Sequence, residues 1–91
     1  MHSTKISAAI TRTATVTLVT MTNVSAGLSY SAELTYPNDA SIDIETLEAT
    51  SDTLVFEFPL GAPGTYKALC SVIDATHHGH SDWVATATAT L

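Results

Sequence analysis

Side chains alternate between apolar and polar types in every segment of this chain that is long enough to form regular structure. The clearest case is residues 28–36, where Leu, Tyr and Ala alternate with Ser, Glu and Thr. A repeat of two is that of a β-strand, because successive side chains point to opposite faces of a sheet. No useful segment repeats every 3.6 residues, and the abundant Thr and Val favour strands. The sequence therefore predicts an all-β protein.

Turn-forming residues divide the chain into seven predicted strands. Their ranges are 5–9, 13–21, 28–36, 42–49, 53–58, 64–74 and 83–91. Pro37 to Ser41 ends the third strand, because proline cannot donate to a ladder and Asn-Asp favours a turn. Residues 5–9 and 42–49 are expected at sheet edges, although a short helical turn is the alternative for 42–49. Seven short strands with turns at this spacing are typical of a β-sandwich.

Length and charge limit the functional classes. Ninety-one residues predict a single domain, 1–91. Residues 1–32 carry two cations and no acid, for a net +2, whereas residues 33–91 carry nine acids and one Lys, for a net −8. This balance argues against nucleic acid and against an anionic membrane surface as partners. The absence of a signal-like apolar run predicts a location in a virion or in the cytoplasm of the producing cell; the alternative is extracellular, within a larger secreted protein.

A corner motif gives the fold a more specific resemblance. The residues are Leu60-Gly61-Ala62-Pro63-Gly64-Thr65-Tyr66, then alternation to Asp74, then Gly79 and Ser81. This last third of the chain resembles immunoglobulin-like β-sandwiches, of which the fibronectin type III and PKD types are nearest. The resemblance implies seven antiparallel strands and a corner tyrosine, Tyr66, whose hydroxyl bonds back to nearby backbone. The tryptophan usual in the second strand is absent, with Leu18 near its position, and Cys70 has no partner for an antibody-type disulfide.

The loop between the last two strands contains the candidate metal ligands. His77, His78 and His80 lie between Asp74 and Asp82, and imidazole suits Zn, Cu, Fe and Ni. The preferred interpretation is a polar hairpin loop with solvated histidines, so no metal and no cofactor is expected. If a metal binds, His78 and His80 are the leading pair.

Signals for catalysis are weak. Cys70 shares its parity with Tyr66, Ala68 and Val72, which predicts a small buried hydrophobe with a raised thiol pKa. No G-x-S-x-G motif, paired-carboxylate site or phosphate loop is recognisable. The chain is therefore expected not to be an enzyme.

The candidate interface residues lie on the face opposite to that of Cys70. If Cys70 and its neighbours face the core, Leu69 and Ile73 point outward, with Val84 near them on the next strand. An apolar cluster on the middle of a sheet favours a docking face. The last strand is an uncharged Ala/Thr alternation that lacks the usual protection of an edge, so it could pair with another chain. Lys5 and Arg12 are candidates for contacting an acidic or polar shell.

These patterns lead to three functional hypotheses. The first is a non-enzymatic structural or binding module that contacts other protein, such as the small immunoglobulin-like proteins that decorate virions, with self-association through Leu69 and Ile73. The second is an accessory module of a secreted bacterial enzyme or adhesin that contacts carbohydrate. It would need exposed aromatic rings, and most of the aromatics lie on inward parities, although Trp83 is next to the histidine loop. The third is a metal-binding domain built on His77 to His80.

Overall fold

Two antiparallel β-sheets pack face to face in a computed structural model of the chain. The structure describes residues 5–73 and 83–91, apart from the side chains of Trp83 and Val84. Within this part no helix is long and apolar enough to span a bilayer. Its regular elements are the strands β1 Ser7–Arg12, β2 Val16–Thr22, β3 Ser29–Thr35, β4 Ile42–Glu48, β5 Thr53–Pro59, β6 Thr65–Ile73 and β7 Trp83–Thr90, with one short 3-10 turn at Pro37–Asp39.

The strands divide into three and four. One sheet has the order β1-β2-β5 and the other the order β4-β3-β6-β7, and every neighbouring pair is antiparallel. Across the sandwich β1 lies against β7 and β5 against β4. The prediction of an all-β sandwich with seven antiparallel strands is confirmed.

The core lies between the two inner faces and follows the alternation in the sequence. Burial of one parity removes apolar surface from water on both sheets at once. In β5 the alternation predicted for every strand is confirmed, because Leu54, Phe56 and Phe58 are buried. The residues that are less than 2 % exposed on the four-stranded sheet share this inner face and are Tyr30, Ala32, Leu34, Tyr66, Ala68 and Cys70.

Strand boundaries near the N-terminus differ from the prediction. The first strand runs from Ser7 to Arg12 rather than over 5–9, and this register brings Ile10 into the core opposite Val19. The second strand begins at Val16 rather than at residue 13. Its start is delayed because the Thr13 side-chain hydroxyl accepts hydrogen bonds from the backbone N–H groups of Thr15 and Val16, at 3.2 and 3.1 Å. A threonine that bonds its own following backbone favours a turn.

Leu28 departs from the alternation predicted for residues 28–36, in which it shares a face with Tyr30, Ala32 and Leu34. It is 43 % exposed, because it lies in a turn where its N–H donates to the Ser25 carbonyl, one residue before β3 begins. From Tyr30 onward the predicted inward parity is confirmed, as Tyr30, Ala32 and Leu34 are all buried.

A register shift interrupts the pairing of the last two strands. Cys70 pairs with Ala85, but Ser71 pairs with Trp83, so Val84 is the extra residue of the bulge. Ser71 is buried although it follows a core residue, and Val72 is only half-buried where it packs against the core. The strict alternation predicted for residues 66–72 therefore ends at Cys70.

Small side chains line the contact between β7 and β1. The inner side chains of β7 are Ala85, Ala87 and Ala89, and they pack against the core as β1 does with Ala8 and Ile10. Small side chains let the two strands approach closely, which explains why β1 and β7 are in contact although they belong to different sheets.

Candidate functional site

A pair of tyrosines closes the corner between β5 and β6. The Tyr66 hydroxyl donates to the Ala62 carbonyl at 2.6 Å, which confirms the predicted bond of the corner tyrosine. The Tyr36 hydroxyl donates to the Pro59 carbonyl at 3.0 Å, and the two rings meet edge to face with centroids 5.5 Å apart. Burial, together with the Asp43 carboxylate beside it, holds the pKa of the Tyr36 hydroxyl well above its usual range. The Tyr36 phenol is therefore a neutral donor. Because both hydroxyls donate to backbone carbonyls, the corner is a structural support rather than a reactive site.

The outer face of the four-stranded sheet is the candidate interface. Its cross-strand rows follow from the register: Ile44, Glu33 and Leu69 lie side by side across β4, β3 and β6. The adjacent row consists of Ile42, Thr35 and Lys67. Apolar side chains therefore lie beside polar or charged ones in both rows.

Two of the predicted interface residues lie on this face, but not in contact. Leu69 is half-buried between Glu33 on β3 and Thr86 on β7, and Ile73 is 37 % exposed opposite Ser29. They are four positions apart along β6, which is about 13 Å in a strand. The Val84 side chain lies outside the described part of the chain, and Val84 has no partner in the β6–β7 register.

Lys5 and Arg12 lie elsewhere. Both are exposed, Lys5 just before β1 and Arg12 at its end, on the edge of the three-stranded sheet. The Lys5 backbone carbonyl accepts a hydrogen bond from the Asn23 side-chain amide at 3.0 Å. The structure therefore does not join these cations to the Leu69 and Ile73 surface.

The most exposed apolar side chains on this face were not among the predicted interface residues. Ile44 is 63 % and Ile42 is 55 % exposed, more than any other large apolar side chain of the described residues. The register puts Asp43 opposite Leu34 and Glu45 opposite Ala32, so the acids take the inner parity of β4 and the isoleucines the outer one. The alternation of Ile and acid was visible in the sequence, but it could not show which set faces outward.

The unequal size of the two sheets explains why acidic side chains can take the inner parity of β4. Three strands cannot cover four, so β4 projects beyond the core and its inner parity is only half-buried. Asp43 and Glu45 therefore keep part of their surface in contact with solvent. Inward-pointing charges on an edge strand also oppose random pairing with other sheets.

Charge is distributed unequally between the two sides of the sandwich. Residues 42–59, which include the edge strands β4 and β5, contain Asp43, Glu45, Glu48, Asp52 and Glu57 and neither Lys nor Arg. On the opposite side, Arg12 is the last residue of β1 and Lys5 lies two residues before that strand. β7 carries no Lys, Arg, Asp or Glu. The charge asymmetry along the sequence thus becomes an asymmetry across the folded molecule.

A shallow polar cavity of about 330 Å³ lies at one end of the outer face. It is bounded by the 3-10 turn and by β3 and β6, with Asp39 and Lys67 as its charged residues. Asn38 and Asp39 both have positive φ, of 61° and 54°. The complete lining is Thr35, Tyr36, Asn38, Asp39, Thr65 and Lys67. Threonines and an acid beside one lysine can hydrogen-bond a polar side chain or backbone of a partner.

Other kinds of site receive less support. His77, His78 and His80 lie outside the described residues, and the described ones contain no group of three His, Cys, Asp or Glu placed to hold a metal ion. Burial raises the pKa of the Cys70 thiol to about 11, so at neutral pH it is protonated and shielded from reagents.

The aromatic rings are also withdrawn from the surface. Those other than Trp83 are at most 6 % exposed, and they are Tyr30, Tyr36, Phe56, Phe58 and Tyr66. Buried rings cannot stack on a sugar. Comparison with known proteins adds nothing to this description, because no known family matches the chain and no curated protein or solved structure is significantly similar to it.

Proposed function

We propose that this chain is an immunoglobulin-like sandwich that acts as a non-enzymatic binding module, held by protein–protein contacts in an assembly such as a virion. The observation that carries the proposal is the exposure of Ile42 and Ile44 on β4, beside Leu69 on the same outer face. Isoleucines that a fold leaves more than half exposed on a regular sheet favour a second protein surface as their partner.

The immunoglobulin-like type is supported by strand order. In that architecture the first, second and fifth strands share one sheet, and the third, sixth and seventh share the other. In this protein β1, β2 and β5 form one sheet, and β3, β6 and β7 belong to the other, where β4 pairs with β3. This placement of β4, together with the lone Cys70 and the corner bond of Tyr66, favours a fibronectin type III-like module over an antibody-type domain.

Energetics favour a protein partner over a small ligand. Covering the exposed part of Ile42 and Ile44 contributes about 1 kcal/mol for each side chain. Glu33, Thr35 and Lys67 on the neighbouring strands supply polar groups beside the apolar residues, and protein interfaces likewise combine apolar and polar contacts. A carbohydrate-contacting module is less well supported, since a sugar platform needs exposed rings and the described rings are buried.

The proposal is tested by measuring whether the chain sediments with assembled particles. A tagged chain is expressed in the producing cell, and the lysate is separated on a density gradient that resolves assembled particles from free protein. The wild-type chain is expected in the particle fraction, whereas Ile42→Lys is expected mainly at the size of free protein. Val55→Lys is the matched control, because Val55 is a 42 % exposed apolar residue on the other sheet.

Two results would contradict the proposal. One is a wild-type chain that stays in the free fraction of lysates that contain particles. The other is a Val55→Lys variant released as completely as Ile42→Lys, because general loss of solubility or folding would then explain both. Circular dichroism of each purified variant checks that the sandwich has formed.

A further inference from the structure

We infer that the partner of the β4 edge is a second copy of this chain, added head to tail so that β7 of one copy pairs with β4 of the next. This inference rests on the proposed function, because it names one occupant of the surface described above. Within the described residues, β4 and β7 each pair with a strand on one side only, and they are the two ends of the same four-stranded sheet. Each therefore has a row of backbone groups available to another strand.

The strand directions permit a continuous sheet. Each neighbour in the order β4-β3-β6-β7 is antiparallel, so β7 runs opposite to β4. A second copy shifted sideways without rotation then presents its β4 antiparallel to β7 of the first. The strands have similar lengths, seven residues in β4 and eight in β7. Such a junction joins unlike surfaces and leaves a free β4 and a free β7 at the ends, so it can repeat.

Charge favours pairing of β4 with β7 over pairing of β4 with a second β4. Two β4 strands would bring Asp43, Glu45 and Glu48 of both copies together, and like charges opposed across strands are destabilising. The uncharged β7 carries no such penalty toward β4. Asp43 and Glu45 are on the inner parity, on the side of the three-stranded sheet, and at the other side of the molecule that layer ends in β1 with Lys5 and Arg12. Head-to-tail addition therefore places acids toward cations.

The sizes of the outer side chains on β4 and β7 also favour a second copy of the chain as the partner. The outer positions of β7 are the exposed Thr86, Thr88 and Thr90, which leave room for large neighbours. On β4 the outer positions begin with Ile42 and Ile44, whose exposed surface needs cover. Threonine beside isoleucine is a pairing of two β-branched residues, which suits a pleated surface.

Sedimentation velocity of the purified chain tests the inference, over protein concentrations up to about 1 mM, a range that reveals weak association. At about 0.05 M NaCl the wild type is expected to form reversible species that grow beyond a dimer with concentration. At about 0.5 M NaCl the association should weaken several-fold, because salt screens the exposed charges. A chain that stays monomeric at all concentrations overturns the inference.

Two edge variants distinguish head-to-tail addition from other pairings. Ile44→Lys removes the apolar contact on β4, and its new ammonium lies opposite Glu33, which supports the folded state. Thr88→Glu adds a repelling acid to β7, and its carboxylate lies opposite Lys67. Each variant alone should associate at least about tenfold more weakly, a factor that corresponds to about 1.4 kcal/mol. A mixture of the two should regain association, because each supplies the edge that the other lacks.

Other outcomes contradict the pairing or separate it from the proposed function. Persistent dimers of Ile44→Lys would show β7 pairing with β7, and the head-to-tail inference would fail. Ile73→Lys is the control, because Ile73 is exposed on the same outer face but on the interior strand β6, and it should associate as the wild type does. A monomeric wild type that still enters particles, and leaves them when Ile42 is replaced, would remove the inference and retain the proposed function.

Discussion

The two faces of the four-stranded sheet are built from the same strands yet differ in what surrounds them. On the inner face Tyr30, Leu34 and Tyr66 are at most 1 % exposed, whereas on the outer face Ile44 is 63 % exposed. Side chains of similar hydrophobicity therefore contribute to the stability of the chain on one face and remain available to a partner on the other. The difference shows that apolar character does not decide a residue's role; the role depends on whether another layer covers it.

Replacement of matched aliphatic residues on the two faces gives the largest expected effect. Leu34→Ala empties a fully buried site and should lower the free energy of unfolding by about 3 kcal/mol. Ile44→Ala, one strand away on the outer face, should change it by less than about 0.5 kcal/mol. Urea denaturation followed by tryptophan fluorescence measures both. Equal losses would mean that the outer face belongs to the core, and the contrast between the faces would be lost.

The corner on the inner side should be almost as sensitive to an added methyl group. A Cβ at Gly61 would lie 2.5 Å from Cδ2 of Tyr36 and 2.7 Å from the hydroxyl of Tyr66, so Gly61→Ala should cost about 2–3 kcal/mol. Gly27→Ala is the control, because its Cβ meets no atom within 4 Å and only the positive φ of 93° opposes it. That strain costs about 1 kcal/mol. Thermal unfolding should rank the two variants in this order, and the reverse order would show that the tyrosine rings yield easily.

Removal of one hydroxyl tests the corner bond by itself. Tyr66→Phe keeps the ring and loses the 2.6 Å hydrogen bond to Ala62, with an expected cost of about 1.5 kcal/mol. Chemical denaturation at neutral pH measures the loss. A cost below about 0.5 kcal/mol would indicate that water replaces the hydroxyl, and the corner would then be held by ring packing alone.

A stabilising change is expected at Thr17 on the inner face of β2. Its hydroxyl is buried and has no hydrogen-bond partner among the described residues. Thr17→Val keeps the shape and removes the unpaired group, which should raise the free energy of unfolding by about 1 kcal/mol. Thr88→Val on the outer face of β7 should have almost no effect, since that hydroxyl is exposed to water. Destabilisation by Thr17→Val, measured in the same denaturation series, would show that the hydroxyl is paired in solution.

Much of the inner face was predictable because burial there repeats along the chain. The inward parities of β5 and of β3 beyond Leu28 followed from alternation, and the bond of Tyr66 followed from the corner motif. Prediction failed where a local bond competes with the ladder, as at Thr13, and where an extra residue interrupts the register, as at Val84. Tyr36 belongs to the alternating segment 28–36, but its contact with Tyr66 depends on two segments that the sequence does not show to be adjacent.

The candidate site was less predictable than the core. Leu69 and Ile73 were identified from parity, and the structure adds Ile42 and Ile44 as the more exposed pair. An alternation of Ile with Asp and Glu is compatible with either face turned outward, since it records only that the faces differ. Which face meets the core depends on how far the opposite sheet extends.

The sequence by itself determined that this protein is built of strands, which residues share a face within most strands, and that the two parts of the chain differ in charge, because these properties are local or additive. Only the tertiary structure decided that three strands face four, that β4 therefore projects with its isoleucines outward, and that acids and cations lie on opposite sides. Those properties depend on long-range pairing, in which each strand's environment is set by segments distant along the chain.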